Sequence, residues 1–237
     1  MRRGLVLSAF AERTVIPVEA AVRVPADLPT SVAAVVGCAV QTGIGAVLNT
    51  AKVPAGASLV VSGLGAVGLS IVQGAGVAGA TTIVAVDLNP ARRAEALRLG
   101  ATHAVDPVAD RVDHVARDLT DGRGADFTFD AVGRSDVVET LMKATRNGGT
   151  TVMVGIPSTD DVLSVRALVH ASYEKKLVGC YLGSSNAARD FPRILDLWRA
   201  GRIDLESMVT ARRPLAEVNE AIADLRSGIG IRTVLEM

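Results

Sequence analysis

Short apolar runs alternate along this chain with longer segments in which apolar residues recur at helical spacing. Six runs have the length and flanking turn residues of strands, and five segments between them have the period of helices. The predicted strands are Ser58–Gly63, Thr82–Asp87, His103–Asp106, Asp126–Asp130, Thr150–Gly155 and Lys176–Leu182. The predicted helices are Ala66–Ala78, Pro90–Leu99, Val108–Thr120, Ser135–Thr145 and Ser164–Ala171. This alternation predicts an α/β protein with a doubly wound, six-stranded parallel sheet.

The two ends of the chain have a different pattern. Phe10–Pro25 alternates apolar and polar residues between prolines, which predicts remnants of antiparallel strands. Asp190–Ala200 and Leu215–Ser227 are predicted helices, and Ile231–Glu236 is a predicted strand. We therefore expect a second domain built from both chain ends. About thirty residues at the front cannot close a β fold alone, so we expect that domain to be incomplete.

A glycine-rich turn, Ser62-Gly63-Leu64-Gly65-Ala66-Val67-Gly68, joins the first predicted strand to the first predicted helix. In a dinucleotide-binding turn the first glycine (Gly63) permits the tight turn, the second (Gly65) lets the backbone approach a pyrophosphate, and the third (Gly68) lets helix and strand pack closely. Asp87 ends the next strand, near the ~20-residue offset of the carboxylate that binds a ribose hydroxyl. The pattern predicts a Rossmann domain that binds a dinucleotide.

A methyltransferase turn is the alternative for this glycine pattern. Such turns usually have an acidic residue just before the first glycine, where this chain has Val61 and Ser62. The dinucleotide interpretation is therefore favoured.

Composition narrows the choice of partners and compartment. The chain has 25 basic and 25 acidic residues, so nothing favours nucleic acid or an anionic membrane as a partner. The uncharged stretch from Leu59 to Val86 is interrupted by polar residues and glycines, as buried parallel strands allow. The apolar residues 5–10 are too few for a signal peptide. Two distant cysteines suggest no disulfide, and we expect a cytoplasmic protein.

Several ordered motifs resemble one protein family. They are Gly37-Cys38-Ala39-Val40-Gln41-Thr42-Gly43, Gly63-Leu64-Gly65-Ala66-Val67-Gly68-Leu69, Val86-Asp87-Leu88-Asn89, Leu99-Gly100-Ala101-Thr102, Val154-Gly155-Ile156-Pro157 and Ile231-Arg232-Thr233-Val234-Leu235. From about Ala11 to Met237 the chain resembles the zinc-dependent medium-chain dehydrogenases, in particular the alcohol and thiol-dependent formaldehyde dehydrogenase branch. The resemblance implies NAD and zinc as cofactors and a small alcohol or aldehyde as substrate.

The resemblance also implies roles for individual residues toward NAD. Ala66 and Val67 belong to the glycine turn with Gly63, Gly65 and Gly68, and Asp87 matches the ribose-binding acid that favours NAD over NADP. Arg92 matches a basic residue near that ribose, and the adjacent Arg93 would weaken the discrimination. The remaining matches are Thr42 beside the nicotinamide, Arg134 beside the adenine, Val154, Cys180 and Leu182 at the carboxamide, and Arg232 at the pyrophosphate. For the arginines, a solvated surface position is the alternative.

Cys38 matches the third protein ligand of the catalytic zinc. Without the resemblance, a buried small apolar residue would be the simpler interpretation. The family's two other zinc ligands and its proton relay precede the first residue of this chain, and a catalytic zinc needs about three protein ligands. We therefore expect residues 1–38 to be a remnant of the catalytic domain, 39–182 to bind NAD, and 183–237 to complete the C-terminal part of the catalytic domain.

Three functions follow from the resemblance. The first is an NAD-dependent oxidoreductase of the zinc alcohol dehydrogenase type, which transfers hydride between a primary alcohol, or an S-hydroxymethyl thiol adduct, and NAD, and is impaired in this chain. The second is a non-catalytic NAD-binding protein. The third is a zinc-free quinone or enoyl reductase, which Cys38 disfavours. The resemblance further implies a homodimer through the sheet edge at Lys176–Leu182.

Overall fold

The computed structural model describes residues 9–237, so most of the apolar stretch at residues 5–10 lies outside the described part. The strands are β1 Ser58–Ser62, β2 Thr82–Val86, β3 His103–Val105, β4 Ala125–Asp130, β5 Thr145–Met153, β6 Lys176–Gly179, β7 Val209–Pro214 and β8 Arg232–Glu236. The α-helices are α1 Thr30–Val35, α2 Gln41–Gly45, α3 Ala66–Ala78, α4 Pro90–Arg98, α5 Val112–Asp118, α6 Ser135–Ala144, α7 Ala167–Ser172, α8 Ala187–Arg199 and α9 Val218–Arg226. Short 3₁₀ turns lie at Val18–Ala20, Leu182–Ser184, Glu206–Met208 and Leu215–Glu217.

The first six strands form one parallel sheet in the order β3-β2-β1-β4-β5-β6. The predicted doubly wound, six-stranded sheet is therefore confirmed. The strand order reverses between β1 and β4, where Ser62 pairs with Val86 on one side and with Asp130 on the other. Ligands of doubly wound sheets bind at the carboxyl edge beside this reversal.

Apolar burial on both faces holds the sheet together. Leu59, Val60 and Val61 of β1 are fully buried, as expected of a central parallel strand. On one face Val60 and Val84 pack with Val112 and Leu141 from the covering helices, together with Val86, Val105, Ala116, Ala125 and Ala144. The sheet thus gives a rigid base for the loops at its carboxyl edge.

The expected strands at the front of the chain are wrong. Within Phe10–Pro25 the structure has no strand, only the 3₁₀ turn Val18–Ala20. The alternating apolar residues are not buried: Val15 is 96% and Val18 is 78% exposed. Periodicity without a face to cover it does not form a strand, and the prolines remove ladder donors.

Several element boundaries differ from the predictions, and one strand was missed; the helix predicted at Val108–Thr120, for example, is observed over Val112–Asp118. β5 begins at Thr145 rather than Thr150, because its first residue pairs with Ala125 before the register shifts. β6 ends at Gly179, and Leu182 begins a 3₁₀ turn instead of ending the strand. β7 was not predicted; it pairs in parallel with β8 in a two-stranded sheet.

A helical segment over Thr30–Ala51 was also not predicted. It combines α1 and α2 with π-helical turns at Val36–Val40 and Ala46–Ala51. By length and composition alone this segment could cross a membrane, with a mean hydropathy of 1.8 in its most apolar window. Inside the structure 72% of that window is buried, so packing within the protein accounts for its apolar character.

The chain divides into two compact units. One unit takes Cys38–Asp204 and contains the six-stranded sheet. The other takes the described residues up to Gly37 together with Leu205–Met237, so both chain ends contribute to it. In this second unit, Arg213 on β7 forms ion pairs with Glu217 and Asp224 at 2.8 and 2.7 Å.

Candidate cofactor site

The glycine turn between β1 and α3 has the geometry that its sequence predicts. Gly63 has φ of +89°, a conformation that favours glycine, and its amide donates to the Val86 carbonyl at 2.8 Å. A Cβ on Gly68 would lie 1.7 Å from the Gly63 carbonyl oxygen, so only glycine fits there. A Cβ on Gly65 would meet nothing within 4 Å. The space in front of Gly65 is therefore open.

The first turn of α3 supplies hydrogen-bond donors beside this open space. Gly65 is the N-cap, and Ala66, Val67 and Gly68 are the next three residues. First-turn amides have no intrahelical acceptor, and they concentrate the positive end of the helix dipole. A pyrophosphate at this position would meet both.

Asp87 is fixed beside the glycine turn by two backbone hydrogen bonds. Its Oδ2 accepts from the Leu64 amide at 2.7 Å, and its Oδ1 accepts from the Asn89 amide at 2.8 Å. A carboxylate oxygen has two acceptor positions, so each oxygen retains one for a ligand hydroxyl. The predicted ribose acid is thus preoriented next to the predicted pyrophosphate turn.

Arg93, which was predicted to weaken the preference for NAD, is engaged elsewhere. Its Nη1 donates to the backbone carbonyls of Asp87 at 2.7 Å and Leu88 at 3.0 Å. The same nitrogen lies 3.1 Å from Asp106 Oδ2. The guanidinium therefore holds the backbone of the loop that carries Asp87, the predicted ribose acid.

A cavity of about 700 Å³ opens at the carboxyl edge of the sheet, next to the strand-order reversal. Five predicted residues line it: Gly63, Gly65, Asp87, Arg92 and Arg134. A larger cavity of about 1190 Å³ is bordered by Asp126, the second residue of β4, and by Thr145, the first residue of β5, and none of the predicted residues lines it. Since ligands of doubly wound sheets bind at the carboxyl edge, the smaller cavity is the candidate site.

The turn after β4 forms the opposite wall of this cavity, and a buried carboxylate shapes it. Asp130 is 1% exposed and accepts from the Val132 amide at 2.9 Å and the Gly133 amide at 3.1 Å. Burial raises the pKa of Asp130 above its ordinary value, and these hydrogen bonds only partly oppose the increase. Asp130 was not among the predicted site residues, although an acidic residue that ends a strand just before a glycine turn is a signal for such a role.

Two glycines bring the turns after β4 and β5 into direct backbone contact. A Cβ on Gly155 would lie 2.1 Å from the Gly133 amide nitrogen, and one on Gly133 would lie 2.6 Å from the Ile156 carbonyl oxygen. Arg134, on the first of these turns, forms an exposed ion pair with Asp136 at 2.7 Å. Stacking of Arg134 on an adenine therefore requires this weak surface pair to rearrange.

The residues predicted near the nicotinamide form a second group outside the cavity lining. Val154 and Cys180 follow β5 and β6, where the Cys180 amide donates to the Met153 carbonyl at 2.8 Å. The thiol of Cys180 accepts from Thr50 Oγ1 at 3.3 Å. Leu182 precedes Gly183, whose added Cβ would lie 2.9 Å from the Thr42 carbonyl oxygen. The fold thus brings Cys180 and Leu182 to the helical segment that carries Thr42.

Arg232 and Cys38 are the remaining predicted site residues. Arg232 begins β8 in the other compact unit, so its pyrophosphate contact stays a prediction. Cys38 is exposed, contrary to a buried apolar role, and lies in the π-helical turn Val36–Val40. Among residues 9–237 no group of three or more His, Cys, Asp or Glu side chains could hold a metal ion. The described residues therefore do not fit a catalytic zinc, whereas the open glycine turn and Asp87 fit a dinucleotide.

Comparison with protein families matches residues 66–199 to the family described as zinc-binding dehydrogenase. This match takes in more than half of the chain. The chain belongs to the zinc-binding dehydrogenase family. As the family's name states, zinc binding is typical of its members, and the fold of this chain agrees with theirs.

Individual members are similar over most of the chain. The alcohol dehydrogenase class-3 of Cereibacter sphaeroides is 36% identical over 238 residues, covering 96% of this chain and 62% of that protein. The crystal structure of benzyl alcohol dehydrogenase from Acinetobacter calcoaceticus aligns with a TM-score of 0.87 and 29% identity, over 91% of this chain and 59% of that one. A zinc-binding dehydrogenase of Sinorhizobium meliloti bound to NADP aligns with a TM-score of 0.76 and 25% identity, over 84% of this chain and 57% of that one.

This chain thus spans about three fifths of the length of the zinc-binding dehydrogenases it matches. The family's name implies zinc as a cofactor of its members, and the neighbour bound to NADP implies a nicotinamide dinucleotide, NAD or NADP.

Proposed function

We propose that this chain binds NAD at the cavity beside the glycine turn and that it serves an NAD-dependent oxidoreductase of the alcohol dehydrogenase type. One observation carries the proposal: the Asp87 carboxylate is hydrogen-bonded to the Leu64 amide of the turn, beside the open space at Gly65. A carboxylate here accepts from a ribose 2′-hydroxyl and repels a 2′-phosphate, which favours NAD over NADP.

Each element of the site has a task in this proposal. The first-turn amides of α3 hold the pyrophosphate, Asp87 holds the adenosine ribose, and Arg134 covers the adenine. Val154, Cys180 and Leu182 hold the carboxamide of the nicotinamide, and Thr42 packs against its ring. NAD, once bound, supplies the acceptor for a hydride from a primary alcohol or an S-hydroxymethyl thiol adduct.

A pair of alanine substitutions on one helix tests this site. Gly65 has φ of −71°, which alanine adopts without strain, and its Cβ would fill only the space kept for the pyrophosphate. We expect Gly65→Ala to weaken NADH binding by about tenfold or more, equivalent to ~1.4 kcal/mol, in a fluorescence titration. As an N-cap change it should lower the free energy of unfolding by only about 1 kcal/mol.

Gly76→Ala is the matched control. It lies on the same helix with nothing within 4 Å of its Cβ, far along from the N-terminal turn. NADH binding should be unchanged in this variant. Equal binding by the unaltered chain and Gly65→Ala, or no binding by the unaltered chain, would contradict the proposed site.

A second candidate, NAD binding without turnover, is favoured by one observation. The described residues hold no group of three metal-ligating side chains. In zinc alcohol dehydrogenases the metal stabilises the alkoxide, and without it the alcohol keeps its proton at neutral pH. We therefore expect the 237-residue chain to bind NAD and to form little or no NADH with zinc and a panel of primary alcohols. Turnover near ~10 s⁻¹, typical of enzymes, would favour the first candidate for the chain by itself.

We also infer a homodimer through β6, with residence in the cytoplasm. β6 ends the sheet order, so one of its edges has no strand partner in residues 9–237. Leu168, on the neighbouring α7, is 79% exposed, and Tyr181, just beyond β6, is 63% exposed. Exposed apolar side chains beside a free strand edge favour pairing with a second copy. Sedimentation should give the dimer mass; a monomer at micromolar concentration would contradict it.

The domain division at 1–38, 39–182 and 183–237 likewise stays a proposal.

A further inference from the structure

Arg93 and Asp106 form an ion pair close to Asp87. The proposed function assigns no task to this ion pair. Arg93 Nη1 and Asp106 Oδ2 are 3.1 Å apart, and the two side chains are only 20% and 32% exposed. The same Nη1 donates to the carbonyls of Asp87 and Leu88. The guanidinium thus binds the backbone of the loop that carries Asp87, and Arg93 is not among the residues that line the cavity.

Asp106 connects this loop to the next wall of the cavity. Its Oδ1 accepts from the Val108 amide at 3.0 Å, and its backbone carbonyl accepts from the Asp110 amide at 2.9 Å. Asp110 lines the cavity, as do Asp87 and Leu88. One carboxylate therefore fixes the turn after β3 through Oδ1 and the Arg93 side chain through Oδ2.

The position of Arg93 matters because a guanidinium is the preferred partner of a phosphate. Arginine binds phosphate oxygens through two parallel hydrogen bonds, and an arginine near the ribose acid is the usual means of accepting a 2′-phosphate. Arg93 is within hydrogen-bond distance of the Asp87 backbone, so rotation of its long side chain could bring the charge to that phosphate. Its bonds to Asp106 and to the two carbonyls oppose this rotation.

We propose that Asp106 is a specificity-determining residue, which holds the Arg93 guanidinium on the backbone of the Asp87 loop and out of the ribose pocket, and so maintains the preference for NAD over NADP. This inference rests on the proposed NAD site. Asp106 acts through Arg93 and is a positioning residue rather than one that touches the cofactor.

The test is Asp106→Asn in the full chain, with NADH and NADPH affinities measured by titration. Asparagine retains an oxygen for the Val108 amide but loses the charge that holds Arg93, so the turn after β3 is kept. We expect the ratio of NADPH to NADH affinity to rise about tenfold, the size of one charge-assisted hydrogen bond to phosphate after competition with water. A merely structural role would weaken both cofactors equally and leave the ratio unchanged, and that result would overturn the inference.

Two further variants test whether the Arg93 guanidinium causes the change in the affinity ratio. In Arg93→Met, adding Asp106→Asn should no longer change the ratio, since no guanidinium is left to release. Asp118→Asn removes one negative charge from the exposed surface of α5, outside the cavity lining, and its shift should stay within about twofold, as for a screened surface charge. A full shift in either variant would overturn the role of Arg93. If the unaltered chain binds NADH and Asp106→Asn leaves the ratio unchanged, this inference alone fails; if the unaltered chain binds neither cofactor, the proposed function fails with it.

Discussion

Gly68→Ala should destabilise the Rossmann unit through a single steric contact. The new Cβ would lie 1.7 Å from the Gly63 carbonyl oxygen and 2.8 Å from its carbon. Both neighbours are backbone atoms, so no side-chain rotation relieves the contact, and Gly63 is itself confined by its φ of +89°. Overpacking costs typically 1–3 kcal/mol, and a backbone obstacle favours the upper end, about 3 kcal/mol. At roughly 2–4 °C per kcal/mol, Tm should fall by about 6–12 °C.

Urea unfolding gives the measurement, with fluorescence of Trp198, the single tryptophan, as the probe. Gly76→Ala on the same helix is the control, because a Cβ there meets nothing within 4 Å. That substitution should raise the free energy of unfolding by about 0.4–1 kcal/mol, through the lower entropy of the unfolded chain. If Gly68→Ala unfolded at the same urea concentration as the unaltered chain, the steric requirement for glycine at position 68 would be refuted.

Three further outcomes are expected. Hydrogen bonding to Arg189 holds the pKa of Asp190 below its ordinary value despite burial, so its stabilisation is present above about pH 4 and is lost as pH falls through the lower folded pKa. The pH dependence of unfolding should therefore be flatter below about pH 4 in Asp190→Asn, and an unchanged slope would exclude this carboxylate as a source. Cys38 is exposed and Cys180 is buried, so Ellman's reagent should titrate one of the two thiols in the native chain, and Cys38→Ser should remove that reaction. Dialysed protein should retain no stoichiometric zinc by a chelator assay, and one tightly held zinc per chain would contradict the ligand count within residues 9–237.

The sheet could be predicted from the sequence because its central strands are buried on both faces. Leu59, Val60 and Val61 form a continuous apolar run, and turn residues separate it from the next helix. The helical segment Thr30–Ala51 was missed because its glycines serve tertiary packing, which the local sequence does not reveal. A glycine such as Gly43 usually indicates the end of a helix, but here its added Cβ would lie 2.4 Å from Ser70 Cβ. This glycine serves close packing between α2 and α3, which is a tertiary requirement.

The residues of the candidate site also differ in whether local sequence or tertiary structure determines their positions. The roles of Gly63, Gly68 and Asp87 follow from a local motif, because strand, turn and helix fix their spacing. The restraint of Arg93 by Asp106 could not be predicted, since it depends on β2 and β3 being neighbours in the sheet. Sequence alone places Arg93 close to Asp87, whereas the structure shows which of its neighbours the guanidinium binds.

The backbone contact between Gly133 and Gly155 couples the turn after β4 to the turn after β5, so that the two turns should move together. The Val154 and Gly155 amides both donate to the Asp130 carbonyl at 2.9 Å, and neither glycine has room for a Cβ, so neither turn can shift without carrying the other. Opening of this side of the cavity should thus be cooperative, and the amides of both turns should exchange with solvent at matched rates. Adaptation to a new ligand is then restricted to residues that flank the contact, such as Val132 and Ile156, whose side chains are exposed.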